Sequence, residues 1–174
     1  NILTYMANCD ALIIDVRNNG GGSIGNAVNL ASHFTDVKRL TGYIQHKTDK
    51  ERTNFSAPKA IYIEPSSGIY WNKPVAVLTN RQTFSAGNYF VNCMRYFPNV
   101  ITVGDITGGG SGLPFTSELP NGWGIRFSTS PHFNAEMNHI EFGIDPDYKQ
   151  NMNLKEEEKG IDGIIDLACF LLMH

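Results

Sequence analysis

The chain has 174 residues, of which 41% are hydrophobic, 11% aromatic and 18% charged, with a formal net charge of −3. This balance excludes an intrinsically disordered segment, which combines few apolar residues with high net charge. The absence of any Lys/Arg cluster argues against a nucleic-acid or anionic-membrane partner. No apolar run approaches the roughly 18 residues of a membrane-spanning helix.

In chain order, Ala11-Leu12-Ile13-Ile14-Asp15-Val16 is a short apolar run that ends in Arg17-Asn18-Asn19-Gly20-Gly21-Gly22. It reads as a buried, parallel-type strand entering a glycine loop. Ile24, Ala27, Val28, Ala31 and Phe34 then recur at helical spacing. Tyr43–His46 and Ala60–Glu64 predict a strand pair around a polar excursion. Val75-Ala76-Val77-Leu78-Thr79 predicts a second buried strand, and Asn80-Arg81-Gln82-Thr83 a turn. A helix is expected to start near Ser85, with Phe90, Val91, Met94 and Phe97 on one face and Pro98-Asn99 as its stop. Val100–Val103 is a third strand, entering Thr107-Gly108-Gly109-Gly110-Ser111-Gly112. Asn121-Gly122 predicts a hairpin turn, and Gly124–Ser130 alternates as a half-exposed strand does. Lys155–Lys159 reads as a solvated helix start, and Ile161 to Leu172 as an amphipathic closing helix.

Two strand–loop–helix units predict an α/β layered fold with a mainly parallel sheet. Ligands in such sheets collect beyond the carboxyl ends of the strands, where these loops lie. The length predicts one domain over residues 1–174, and the start at Asn1, in mid-pattern, an upstream segment in a longer parent protein. Cys9, Cys93 and Cys169 are odd in number and far apart, so they read as small buried hydrophobes. The five histidines form no His-x-x-x-His pair, and neither glycine loop fits a P-loop; we expect no metal and no cofactor.

Ser85 carries the chemistry most directly. At a helix N-terminus, free N–H groups and the helix dipole favour the oxyanion that a serine nucleophile creates. The Ala86 N–H is the natural donor, and the Gly20–Gly22 loop can bring a second. The competing reading is that Ser85 merely caps the helix. A Gly-x-Ser-x-Gly elbow is incomplete, because Thr83 replaces its first Gly. His132 and His139 are candidate bases, and Glu141 a candidate to orient a histidine.

Taken together, these segments resemble the tail-specific, or carboxyl-terminal-processing, serine peptidases and their tricorn-type relatives. The resemblance rests on Ala11–Gly22, Val77–Gly87, Gly104–Gly109 and Gly143-Ile144-Asp145-Pro146-Asp147, in that order. It implies a crotonase/Clp-protease-like layered fold, with a smaller antiparallel element beside the parallel sheet. It further implies hydrolysis of unfolded or peptide substrates through an acyl-enzyme at Ser85, with Ala86, Gly21 and Gly22 at the oxyanion. The carboxyl-terminal-processing branch carries its general-base Lys where this chain has Gly110, and many members have Glu where this chain has Asn88. The tricorn-like branch uses Ser, His and Glu, with the His upstream of the oxyanion strand. That implies Glu141 as the orienting carboxylate, a His outside this chain, and little activity from these residues alone. An extracytoplasmic location follows from the same resemblance; oligomeric state is left open. An alternative keeps the fold as a degenerate ligand- or peptide-binding module, and a third reading is an esterase using Ser85, Asp105 and His132.

Overall fold

A computed structural model describes residues 2–174. Its elements are α1 (Ile2–Tyr5), β1 (Leu12–Asp15), α2 (Ile24–Ala31), β2 (Arg39–Ile44), β3 (Lys59–Ile63), β4 (Val75–Thr79), α3 (Ala86–Met94) and β5 (Val100–Gly104). They continue with β6 (Pro114–Glu118), β7 (Gly124–Ser128), β8 (His132–Phe133), β9 (Tyr148–Lys149), α4 (Leu154–Glu157) and α5 (Gly163–Met173).

Strand β4 explains the layering. All five of its residues are buried, and successive side chains point to opposite faces of the sheet. Val75 and Val77 join one core with Leu12, Phe90, Val91, Met94 and Phe97. Ala76 and Leu78 join another with Val103, Ile164 and Ala168. A strand covered on both faces must be apolar throughout, which is why it reads as an unbroken run. The sheet has the order β1-β4-β5-β9 and is parallel at each pairing. Helices α2 and α3 cover one face and α5 the other.

A second sheet, β3-β2-β8, is antiparallel, and β6 and β7 form a separate two-stranded hairpin. The mainly parallel sheet with a smaller antiparallel element is thus as expected. The Asn121-Gly122 turn is present, with Gly122 at φ 84° and the Trp123 carbonyl accepting from Leu119.

Four details differ from the sequence expectation. Strand β2 begins at Arg39 and ends at Ile44, earlier than Tyr43–His46 suggested. Strand β7 is exposed along most of its length, because the hairpin projects from both layers and its alternation has no core to face. The helix after the glycine loop ends at Ala31 and continues as a single 3-10 turn, Ser32–Phe34. Of the cysteines, Cys93 alone is fully buried, and burial pushes its thiol up to about 12; Cys9 is exposed and Cys169 half-buried.

The carboxyl end of β1 is tied to α5 by charge. Arg17, whose side chain is 12% exposed, pairs with Asp15 and Asp162 at 2.7 Å each. Asp162 also caps α5, accepting the Ile164 and Ile165 N–H groups. Burial acts to raise its carboxyl, but the Ile165 N–H, Arg17 and the Ile164 N–H together hold it below its ordinary 3.8. A carboxyl depressed in the fold stabilises it above the unfolded value and loses that contribution as pH falls through the folded one. Stability in urea should therefore drop as pH falls below 3.8, and Asp162→Asn should flatten that limb. An identical acid limb in the two proteins would contradict this assignment.

Candidate active site

Ser85 sits on a turn fixed to the end of β1. Thr83 is fully buried, and its hydroxyl donates to the Val16 carbonyl at 2.9 Å. The Asn80 carboxamide donates to Asn18 Oδ1 at 2.9 Å, and its oxygen accepts the Asn18 N–H at 3.1 Å. Held this way, Ser85 takes φ 56° and ψ −119°, a conformation disfavoured for a residue with a Cβ. Such a residue stores about 1–3 kcal/mol that its surroundings must offset. The Ser85 N–H donates to the Gly109 carbonyl at 2.8 Å, while its side chain makes no capping bond to α3. The capping reading therefore fails: the hydroxyl is half-buried, held at a helix start and left without a structural task.

The glycine loop packs directly onto this turn. The Phe84 N–H donates to the Asn19 carbonyl at 2.9 Å, and Asn19 Oδ1 accepts the Gly21 N–H at 2.9 Å. Gly21 has φ 105°, and a Cβ added there would stand 2.6 Å from Ser85 Cβ and 3.0 Å from the Ala86 nitrogen. Only glycine permits that approach. The N–H groups of Ala86 and Gly22 have no acceptor among the described residues, and both residues line a cavity of about 140 Å³ with Ser85, Tyr89, Ser111 and His132.

The opposite wall hangs on Asn88. Fully buried, it donates through Nδ2 to Ser111 Oγ at 2.8 Å and to the Ile140 carbonyl at 2.9 Å. Its Oδ1 accepts the Thr107 hydroxyl at 2.6 Å, and Thr107 Oγ1 accepts the Ile144 N–H at 2.7 Å. This network fixes Glu141, whose carbonyl accepts the Gly110 N–H at 2.9 Å and whose Oε2 accepts the Ser111 N–H at 2.8 Å. Glu141 is thus half-buried and bonded rather than free in solvent, and it shares a cavity of about 310 Å³ with Phe84, Ser85, Gly110 and Arg126. Gly110 has φ 78°, and a Cβ there would fall into the Phe84 ring. The position thus has no room for a lysine while Phe84 keeps its place.

The histidines separate clearly. His132 is buried against Tyr89, its ring edge-on with centroids 5.9 Å apart. Its Nδ1 lies 3.0 Å from the Ser130 carbonyl. Burial lowers its pKa; the Ser130 and Ser111 carbonyls and Glu141 oppose this, while His46 adds to it. His139 is exposed, and its Nδ1 accepts the Glu141 N–H at 3.1 Å. Asp105 is bound to Arg81 at 2.8 Å and lines a different cavity, so it is not assembled with Ser85 and His132. Sequence reasoning gave no weight to Asn88 as a hub, since a buried carboxamide leaves no local pattern. Arg126 escaped notice because a lone cation on an exposed strand looks like solvated surface. Among the described residues, no group of three or more His, Cys, Asp or Glu could hold a metal ion.

The sequence model of peptidase family S41 matches residues 1–150. The chloroplastic carboxyl-terminal-processing peptidase 2 of Arabidopsis thaliana is 25% identical over 173 residues, covering 94% of this chain and 31% of that protein. A crystal structure from Parabacteroides merdae superposes with a TM-score of 0.95 at 47% identity, covering 99% of this chain and 55% of that one. Mature CPAF, solved in complex with lactacystin, shares the fold with a TM-score of 0.84 at 19% identity, over 98% of this chain and 46% of its own. The chain therefore spans between about a third and a little over half of these proteins' lengths.

Two stability measurements check this geometry. Ser85→Gly should be more stable than Ser85→Ala by about 1 kcal/mol, because glycine relieves the backbone strain and alanine does not. Equal midpoints in urea would remove the strain argument. Asn88→Leu should destabilise by about 2–4 kcal/mol, since it leaves Thr107, Ser111 and the Ile140 carbonyl short of partners. A loss below about 0.5 kcal/mol would show that the network is dispensable.

Proposed function

Because the chain belongs to peptidase family S41, we propose that it is the core of a serine peptidase in which Ser85 is the nucleophile. The carrying observation is that the Ser85 hydroxyl, freed from capping, stands at a helix start beside the unpaired Ala86 N–H. In this reading Ser85 Oγ bonds to the scissile carbonyl carbon while its proton passes to an imidazole. The oxyanion lies against the Ala86 N–H and the Gly22 N–H of the glycine loop, where fixed donors need no reorganisation, while the Gly21 N–H is spent on Asn19 Oδ1 and shapes the loop. Collapse breaks the C–N bond, and the amine leaves with the proton from the imidazolium. Water then cleaves the acyl-enzyme by the same base.

The base in this mechanism is a histidine from a segment outside these 174 residues, oriented by Glu141. Two observations support that assignment over a Ser–Lys dyad: the Phe84 ring fills the space a side chain at 110 would take, and Glu141 lines the Ser85 cavity on a fixed support. The same kinship supports polypeptide substrates and an extracytoplasmic location. Among the described residues, no helix is long and apolar enough to cross a membrane.

The test is hydrolysis of an unstructured protein together with labelling by a fluorophosphonate. These 174 residues alone should show little of either, because a serine without a base is a poor nucleophile. A longer polypeptide that supplies the histidine should show both, and Ser85→Ala should lower its turnover by about 10⁴-fold or more. Full-rate hydrolysis by the 174 residues would overturn the external base. Peptide binding without any Ser85-dependent hydrolysis in the longer protein would favour the binding-module reading.

A further inference from the structure

Arg126 is distinguished by what surrounds it. It lies on β7, opposite Thr116 in the hairpin, and lines both cavities that meet at Ser85. Arg17 and Arg81 have carboxylate partners, whereas Arg126, like Arg39, Arg52 and Arg95, has none among the described residues; its place on the Ser85 cavities sets it apart. Glu141 shares its cavity but is occupied elsewhere: Oε2 accepts the Ser111 N–H at 2.8 Å, and Oε1 lies 3.5 Å from the Ser128 hydroxyl. The guanidinium thus brings a positive charge with no ion-pair partner to the edge of the reaction centre, in a cavity that it shares with the hydrogen-bonded Glu141 carboxylate.

Its neighbours in these cavities include Leu113, Pro114 and Phe127, which bring apolar surface, and Glu141, whose carboxylate is held by the Ser111 N–H. A guanidinium keeps its charge at any working pH and presents paired donors that match the two oxygens of a carboxylate. A partly apolar cavity with such a fork at its edge discriminates by charge as well as by size.

We propose that Arg126 is a specificity-determining residue that selects a carboxylate on the bound peptide close to the scissile bond. This rests on the reading of Ser85 as nucleophile, since that reading makes the shared cavities substrate subsites. The carboxylate belongs either to an acidic side chain or to the peptide's own terminus. Because Arg126 is exposed, the preference is moderate and weakens with salt.

The test is peptide binding to the chain carrying Ser85→Ala, followed by fluorescence anisotropy. In one arm a single Glu is walked through a neutral decapeptide, each compared with its Gln counterpart. In the other arm the same neutral peptide ends in a free carboxylate or an amide. The expected result is a preference of about fivefold for the anionic partner in one arm at low salt, lost in Arg126→Gln and partly kept in Arg126→Lys. The arm that shows it identifies the source of the carboxylate. A preference that survives Arg126→Gln, the absence of any preference, or no binding by folded protein would overturn the proposal. Ser85 is absent from every sample, so failure of Ser85-dependent labelling would sink the peptidase reading without touching this result.

Discussion

The carboxamide of Asn88, buried near the start of α3, binds two separate stretches of chain at three points with one side chain: Thr107 and Ser111 in one loop, and Ile140. Helix α3 carries Ser85 at its head, and the stretches held by Asn88 carry Gly109, Gly110 and Glu141. The relative placement of the serine and its opposite wall is thus set inside the protein, away from solvent competition. A buried amide satisfied at both ends is worth more than its separate bonds suggest, because any displaced partner is left unpaired in a medium of low dielectric.

The sheet supplies the frame for this arrangement. Strands β1, β4 and β5 run parallel, so the loops that follow them leave from the same edge. One loop brings Gly21, the next Ser85, and the third Gly109 to Ser111. The late Gly-Ile-Asp-Pro-Asp stretch joins them from outside: Asp147 Oδ2 accepts both the N–H and the hydroxyl of Thr102 on β5 at 2.8 Å. A motif that looked like a family badge in the sequence is, physically, a clip that returns the chain to the sheet just after Glu141.

The parts of this structure that were legible in the sequence are those governed by local periodicity. A strand buried on both faces has no choice but to be apolar, so Val75–Thr79 was plain, as was the serine after its turn. The exposed hairpin was misjudged because alternation records side-chain direction and not the presence of a core. Asn88 and Arg126 could not be read, since each acquires its meaning from residues distant in the chain. His132 was a candidate by residue type alone; the strand pairing of β8 with β2 is what brings it to the Ser85 cavity from 47 positions away.

Gly110 and Phe84 carry a consequence for what this site can accommodate. The ring occupies the volume that any side chain at 110 would need, and the backbone there already has φ 78°. A side chain at this position and the Phe84 ring as placed here therefore compete for one space, and the exposed ring would have to turn away to admit a base. A substitution at the glycine thus acts on the residue before the serine as well, through the ring rather than through the backbone. A residue adjacent to Ser85 therefore governs what its opposite wall can carry, through volume alone.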